Sequence, residues 1–128
     1  MKILLYLAEV QDFEKTKERE ELLLLWAEIH DMQVVGIVCE LNDQNCLGIQ
    51  GLKVIEQVTS ILKVEAIAVL TVADISTEEK DAYAKLKVLR DMGLKVASAH
   101  NDLPESETID NESRMRANHC TVKIYENY

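Results

Sequence analysis

The chain has 128 residues, a length for one domain, and its 48% hydrophobic and 29% charged residues are typical of a globular protein. A net charge of -9 excludes the broad basic surface through which most nucleic-acid-binding proteins act. No apolar run reaches the roughly 18 residues that span a bilayer. The chain opens on a strand-like run without a signal-peptide pattern, so the sequence predicts a cytoplasmic protein.

The first half of the chain predicts two strands, each followed by a helix. Lys2 to Ala8 and Gln33 to Cys39 are apolar runs of strand length. Glu14 to Asp31 has a charged first half that suits a solvated face, and helical spacing predicts its core face as Leu22, Leu25, Trp26 and Ile29. A polar loop, Glu40 to Gly51, precedes a second helix, Leu52 to Leu62, whose predicted apolar stripe is Leu52, Ile55, Val58 and Ile61 or Leu62.

The strongest signal comes next, from Val64 to Asp91. Its first part, Val64 to Val72, is apolar without alternation, which indicates a strand buried on both faces. Ser76 with Glu79 predicts a capping box at the start of a long helix, and Gly93 predicts its C-terminal cap. Ligands of open parallel sheets bind at the carboxyl ends of strands. We therefore expect any active site at residues 72–77, where one acid and two hydroxyls stand without Arg, Lys or His.

The last part of the chain predicts two more strands. Leu94 to Ser98 is the fourth, and Thr121 to Tyr125 alternates like an exposed or edge strand. The polar segment between them, Asn101 to Asn118, is predicted as loop or as a short helix around Glu112 to Ala117. The order of elements predicts an α/β three-layer sandwich of the flavodoxin-like class, with a mostly parallel four- to five-stranded sheet. We expect a single domain over 1–128, with its core in 2–103 and a C-terminal extension in 104–128.

The three cysteines, Cys39, Cys46 and Cys120, are an odd number at irregular spacings, without a CxxC motif. This pattern indicates neither a zinc site nor a disulfide framework. Cys39 lies in an apolar run, which predicts a buried thiol. We therefore expect no bound metal, no cofactor and a reducing compartment.

A family resemblance rests on several segments that occur in a fixed order. They are Tyr6 in the first strand, the helix of Trp26, Val34 to Glu40, Gly48-Ile49-Gln50-Gly51-Leu52 and Ala73-Asp74-Ile75-Ser76-Thr77. Over roughly residues 2 to 103, this pattern resembles the catalytic domain of the serine recombinases, the resolvase and invertase family. The resemblance implies a resolvase-like fold. It also implies a chemistry in which a serine attacks a DNA phosphodiester while arginines hold the phosphate.

The site positions that this resemblance implies carry other residues. The first-strand exit, which has serine and arginine in the family, has Glu9 and Gln11 here, and the loop arginine falls on Ile49. The two arginines of the third-strand exit fall on Asp74 and Thr77. Glu9 and Asp74 would repel a phosphate where the family attracts one. These degenerate positions predict that no residue is catalytic and that the chain is not an enzyme.

The sequence thus favours a resolvase-like, catalytically inactive protein-interaction or regulatory module linked to a mobile element. We expect a homodimer or a protein partner, and weak or absent nucleic-acid binding. One alternative is a serine recombinase-family protein that recombines or binds DNA. Another is a receiver-like phosphoacceptor in which Glu9, Asp12 and Asp74 bind a divalent ion, although a receiver needs a lysine where His100 and Asn101 stand.

The C-terminal strand, Thr121 to Tyr125, leaves a further alternative open. An alternating strand at a chain end is unstable unless it pairs with a sheet edge. Pairing with the chain's own sheet is the simpler expectation. Pairing with a second subunit, in a symmetric dimer, is the alternative.

Overall fold

A computed structural model describes residues 1–9, 12–99 and 119–125 of the chain, with only the backbone for His119. The strands are β1 (Lys2–Ala8), β2 (Gln33–Leu41), β3 (Ala66–Val69), β4 (Lys95–Ser98) and β5 (His119–Ile124). The α-helices are α1 (Phe13–Ile29), α2 (Ile49–Leu62) and α3 (Glu79–Asp91), and a 3-10 turn, Val72–Asp74, follows β3. The predictions for Gln11, for His100 and for the helix around Glu112 to Ala117 lie outside the described residues.

The strands form one five-stranded sheet in the order β4-β3-β1-β2-β5. The first four are parallel, and β5 runs antiparallel to β2. Helix α1 packs on one face of the sheet, and α2 and α3 pack on the other. The predicted three-layer, mostly parallel α/β fold is therefore confirmed. Among the described residues, no helix has the length and apolarity to cross a bilayer.

The position of β1 at the centre of the sheet explains why its sequence does not alternate between polar and apolar residues. Its side chains point alternately into two apolar clusters, Leu4, Tyr6 and Ala8 toward α2 and α3, and Ile3, Leu5 and Leu7 toward α1. All six side chains are buried. A strand that is covered on both faces needs apolar residues at every position.

The prediction for the core face of α1 is wrong for Leu22, Leu25 and Ile29, whereas Trp26 packs against the core as predicted. The residues of α1 that are buried against the sheet are Leu23 and Ala27, whereas Leu22, Leu25 and Ile29 are 44%, 52% and 69% exposed. The run of four consecutive leucines offers apolar residues to every face, so the spacing does not select one. The face that packs on the sheet is the one that also carries Arg19, which forms an ion pair with Asp74 at the end of the sheet.

Several predicted boundaries also shift. Strand β2 continues to Leu41, so Glu40 belongs to a strand and not to the predicted loop. Helix α2 begins at Ile49 instead of Leu52. In the predicted stripe of α2, Ile55 and Val58 are buried and Leu52 and Leu62 pack against the core, but Ile61 is 75% exposed. Strand β3 is shorter than the predicted run, because the chain turns into a 3-10 helix at Val72.

The start of α3 differs from the prediction, whereas its end agrees. Ser76 is not the N-cap, because the helix begins at Glu79 after Glu78. Instead, the Ser76 hydroxyl accepts a hydrogen bond from the Glu78 backbone N–H at 3.1 Å, which bridges the turn before the helix. At the other end, Gly93 has φ +90 and directly follows the C-cap Met92, as the sequence predicts.

Strand β5 pairs with β2 of its own chain, with Val122 opposite Val38 and Cys120 opposite Glu40. The simpler expectation for the C-terminal strand is therefore confirmed. The buried Cys39 thiol is also confirmed, and burial raises its pKa to about 11. Burial likewise raises the pKa of Cys120, to about 12, and that of the buried Cys46.

Gly36 in β2 offers a test of this pairing. A Cβ added there would lie 2.6 Å from the Lys123 backbone oxygen and 3.3 Å from Ile124 Cδ1. We expect Gly36→Ala to destabilise the protein by about 1–3 kcal/mol, because the backbone of β5 must move away. Amide hydrogen exchange should quicken in β5 more than in β3. Equal exchange rates in the variant and the wild type would contradict the described position of β5.

Candidate functional site

The candidate site lies at the carboxyl ends of the parallel strands, where polar side chains from four segments meet. Tyr6 comes from β1, Glu40 from the end of β2 and Asp74 from the 3-10 turn after β3. Arg19 reaches the same place from α1. Tyr6, Glu40 and Asp74 are buried.

Glu40 is the centre of one hydrogen-bond network. Its Oε1 accepts the Tyr6 hydroxyl at 2.8 Å and the Gly48 backbone N–H at 2.9 Å, and its Oε2 accepts the Gly51 backbone N–H at 3.2 Å. Gly48 is the N-cap of α2 and has no side chain to cap it. Glu40 therefore supplies the cap from a neighbouring strand, and its negative charge suits the N-terminus of a helix.

The close approach of Glu40 explains the two glycines at this helix start. A Cβ on Gly51 would lie 2.3 Å from Glu40 Oε1, and one on Gly48 would lie 2.9 Å from Oε2. The G-x-x-G spacing thus makes room for a buried carboxylate. Because the backbone N–H groups of both glycines donate to Glu40, neither is available to bind another anion.

The hydroxyl of Tyr6 is held in the same network. Burial, followed by the charge of Glu40, raises the pKa of Tyr6 well above its usual range. The phenol therefore stays protonated and donates to Glu40. The Tyr6 hydroxyl is thus a buried hydrogen-bond donor held by Glu40.

Asp74 is the centre of a second network. Its Oδ1 accepts Arg19 Nη2 at 2.5 Å, and its Oδ2 accepts the Thr71 backbone N–H at 3.2 Å. Its backbone oxygen accepts the Leu47 N–H at 2.8 Å, next to the Gly48 N–H that binds Glu40. Burial raises the pKa of Asp74, and Arg19 opposes that rise.

Residues 72–77 contain no Arg, Lys or His, but basic side chains from elsewhere in the sequence reach the third-strand exit. Arg19 lies 55 residues before Asp74 in the sequence. Lys85 of α3 donates to the Ile75 backbone oxygen at 3.4 Å and pairs with Asp81 at 2.7 Å. The Nε of Arg19 is buried and has no hydrogen-bond partner among the described residues.

The structure places the predicted site positions in different surroundings. Asp74 is buried in the site, and the backbone N–H of Glu9 donates to the Glu40 backbone oxygen at 2.8 Å. Ile49 is 76% exposed at the start of α2, and Thr77 is exposed before α3, so neither joins the two networks. The fifth position, Gln11, lies outside the described residues.

The acids of the receiver-like alternative also have other partners. The Asp12 side chain caps α1 by accepting the N–H groups of Glu14 and Lys15 at 3.0 and 3.3 Å. Asp74 is paired with Arg19. In residues 1–9, 12–99 and 119–125, no group of three or more His, Cys, Asp or Glu side chains could hold a metal ion. Among the described residues, the site thus has two carboxylates, Glu40 and Asp74, whose oxygens accept hydrogen bonds from other protein groups. It also has Arg19, which is paired with Asp74 through Nη2 but has no partner for Nε.

Comparison with solved structures identifies the fold. The chain is similar to the C-terminal catalytic domain of ISC1926 TnpA, an IS607-like serine recombinase, with a TM-score of 0.65 and 14% identity over 82% of this chain and 71% of that one. It is also similar to a resolvase family site-specific recombinase from Streptococcus pneumoniae, with a TM-score of 0.64 and 15% identity over 84% and 78%. No protein-family model and no curated protein matches the sequence. The chain therefore has the fold of serine recombinase catalytic domains.

The prediction that the chain is not an enzyme is contradicted by this comparison. The fold that the chain adopts is the fold of recombination enzymes. The prediction rested on reading the site from residues next to each strand end. Arg19, which α1 brings to that edge, shows that such a reading overlooks side chains from elsewhere in the sequence.

Proposed function

We propose that this chain takes part in DNA recombination, as a cytoplasmic domain that acts on recombination through contacts with other protein subunits. The observation that carries the proposal is its likeness to serine recombinase catalytic domains over more than four fifths of its length. The protein contact would be a homodimer or a complex with another recombination protein, and the gene would be linked to a mobile element.

The charge of the chain supports protein contacts over contacts with DNA. The net charge is -9, and the candidate site contains the buried carboxyl groups of Glu40 and Asp74. The one arginine in the two networks is paired with Asp74. A phosphate backbone would meet mostly like charge at this edge.

A second candidate function, direct contact with a DNA phosphate, is favoured by Arg19, whose side chain is 25% exposed at this edge of the sheet and whose Nε has no hydrogen-bond partner in the part of the chain that the structure describes. Fluorescence anisotropy with a labelled DNA duplex distinguishes the two candidate functions. Our first proposal predicts a dissociation constant weaker than about 10⁻⁴ M at physiological salt. A micromolar constant that Arg19→Gln abolishes would favour the second.

The first proposal is tested in the organism that carries the gene. Deleting the gene should change the frequency of at least one DNA rearrangement junction, measured by deep sequencing, and a plasmid copy should restore it. A plasmid copy that encodes an unfolded variant serves as the control. Unchanged junction frequencies throughout the genome would reject a role in recombination.

A further inference from the structure

We propose that the outer face of α1 is a docking site for a basic amphipathic helix of a partner protein. The inference rests on the proposed function, because it names the chemistry of one protein contact. The apolar part of this face is Leu22, Leu25 and Ile29, which are 44%, 52% and 69% exposed. Their spacing of i, i+3 and i+7 places them in one row along the helix.

The fold itself does not use this row. Toward the sheet, α1 buries Leu23 and Ala27, and Leu24 and Trp26 pack at the edge of that contact. Arg19 and Glu20 anchor the same inner side, through ion pairs with Asp74 and Lys123. On the opposite side, three large aliphatic side chains form an exposed apolar row, and exposed apolar patches often mark interaction surfaces.

A row of carboxylates runs beside the apolar row. Glu14, Glu21 and Glu28 are exposed and lie seven residues apart, so they project in nearly the same direction. Glu18, also exposed, lies one turn before Leu22 and two turns before Leu25. The sequence contains no Lys or Arg between Glu20 and Leu52, so the C-terminal half of α1 supplies no neutralising charge.

A shallow groove extends the same face toward the start of the helix. It has a volume of about 240 Å³ and is lined by Phe13, Glu14, Lys17, Glu18 and Glu21. Phe13, the first residue of α1, is 74% exposed. The lining thus has one apolar side chain, three carboxylates and one lysine, and its net charge is negative, like that of the neighbouring carboxylate row.

The charges beside the apolar row of α1 indicate which kind of partner would bind there. Two copies of this chain that paired through α1 would bring their carboxylate rows together, and like charges flanking a helix contact are destabilising. A partner helix with apolar residues at i, i+3 and i+7 and with Lys or Arg beside them would bury the apolar row and pair with the carboxylates. We therefore assign the face to a basic helix and not to a second copy.

The test uses the full chain and two synthetic peptides. Both are helical and carry leucines at i, i+3 and i+7, but one has lysines at the flanking positions and the other has glutamates. Fluorescence anisotropy should show the lysine peptide bound at least about tenfold more tightly than the glutamate peptide. The difference should shrink as the ionic strength rises from about 0.05 to about 0.5 M, because salt screens exposed charges.

Variants of exposed residues locate the contact without threatening the fold. Leu25→Ser and Glu21→Lys, both on the outer face, should each raise the dissociation constant of the lysine peptide about fivefold or more. The matched controls on α2 are Ile61→Ser and Glu56→Lys, which change an exposed apolar residue and an exposed carboxylate elsewhere. Circular dichroism of each variant verifies that it is folded.

The proposal is overturned by equal binding of the two peptides, by no binding, or by equal losses in the α1 and α2 variants. It is also overturned if light scattering shows a dimer of the wild type that Leu25→Ser dissociates, since the occupant would then be a second copy. None of these results bears on the rearrangement frequencies that test the proposed function, so the two can fail separately.

Discussion

Replacing Glu40 with alanine should destabilise the protein by about 4 kcal/mol. The change removes the acceptor of the Tyr6 hydroxyl and of the Gly48 and Gly51 N–H groups, all at the buried end of the sheet. Three donors are then left without their partner, and α2 loses the cap that Gly48 cannot supply. A loss of this size is a large part of the 5–15 kcal/mol that stabilises a typical domain.

Urea denaturation followed by circular dichroism measures the effect. Glu40→Gln keeps the shape and one acceptor oxygen, so it should cost about 2 kcal/mol. Glu56→Ala, which removes an exposed carboxylate from α2, is the matched control and should stay within about 0.5 kcal/mol of the wild type. If Glu40→Ala were as stable as this control, the network assigned to Glu40 would be wrong.

Replacing Arg19 with glutamine should destabilise the protein by about 3 kcal/mol near pH 7, and the loss should depend on pH. Burial raises the pKa of Asp74, and Arg19 lowers it, so the pKa of Asp74 in the folded variant lies higher than in the folded wild type. In the folded variant Asp74 therefore binds its proton more readily. The part of the penalty that depends on the Asp74 charge is absent below the folded pKa of the wild type, where Asp74 is protonated in both proteins. It grows as the pH rises from that pKa to the higher folded pKa of the variant.

The free energy of unfolding of both proteins at about pH 4 and about pH 7 measures this dependence. Lys87→Gln breaks the exposed pair between Lys87 and Asp91, in which the side chains are 76% and 68% exposed, and serves as the control. That control should change stability by less than about 0.5 kcal/mol at either pH. A destabilisation by Arg19→Gln that is the same at both pH values would show that Asp74 is not a buried partner of Arg19.

The order of elements could be predicted because it depends on local patterns. The runs around Ile3 to Leu7 and Ala66 to Val69 contain no charged residue and, apart from the Tyr6 hydroxyl, no polar group on a side chain, which is what two covered sheet faces require. Gly93, with its positive φ, marks the end of α3 in the sequence as in the structure. The alternation of strands and helices predicted the mostly parallel sheet, and the alternating pattern of β5 predicted a strand at the edge. The antiparallel direction of β5 was not predicted.

The site could not be predicted to the same extent, because its contacts are distant in sequence. Glu40 follows an apolar run and precedes a polar loop, so nothing nearby shows that Tyr6 and the start of α2 will surround it. A signal was present in the G-x-x-G of Gly48 and Gly51, which indicates a close approach of other atoms. The partnership of Arg19 and Asp74 depends on which face of α1 meets the sheet, and four consecutive leucines conceal that face.

The measurement that tests our central claim most directly is strand exchange in a purified system. A serine recombinase encoded in the same genome acts on a supercoiled plasmid that carries its sites, with and without an equimolar amount of this chain. We predict a severalfold change in the rate of strand exchange, which chain that has been denatured before addition does not produce. An unchanged rate over a hundredfold range of chain concentration, with the chain folded throughout, would contradict the claim.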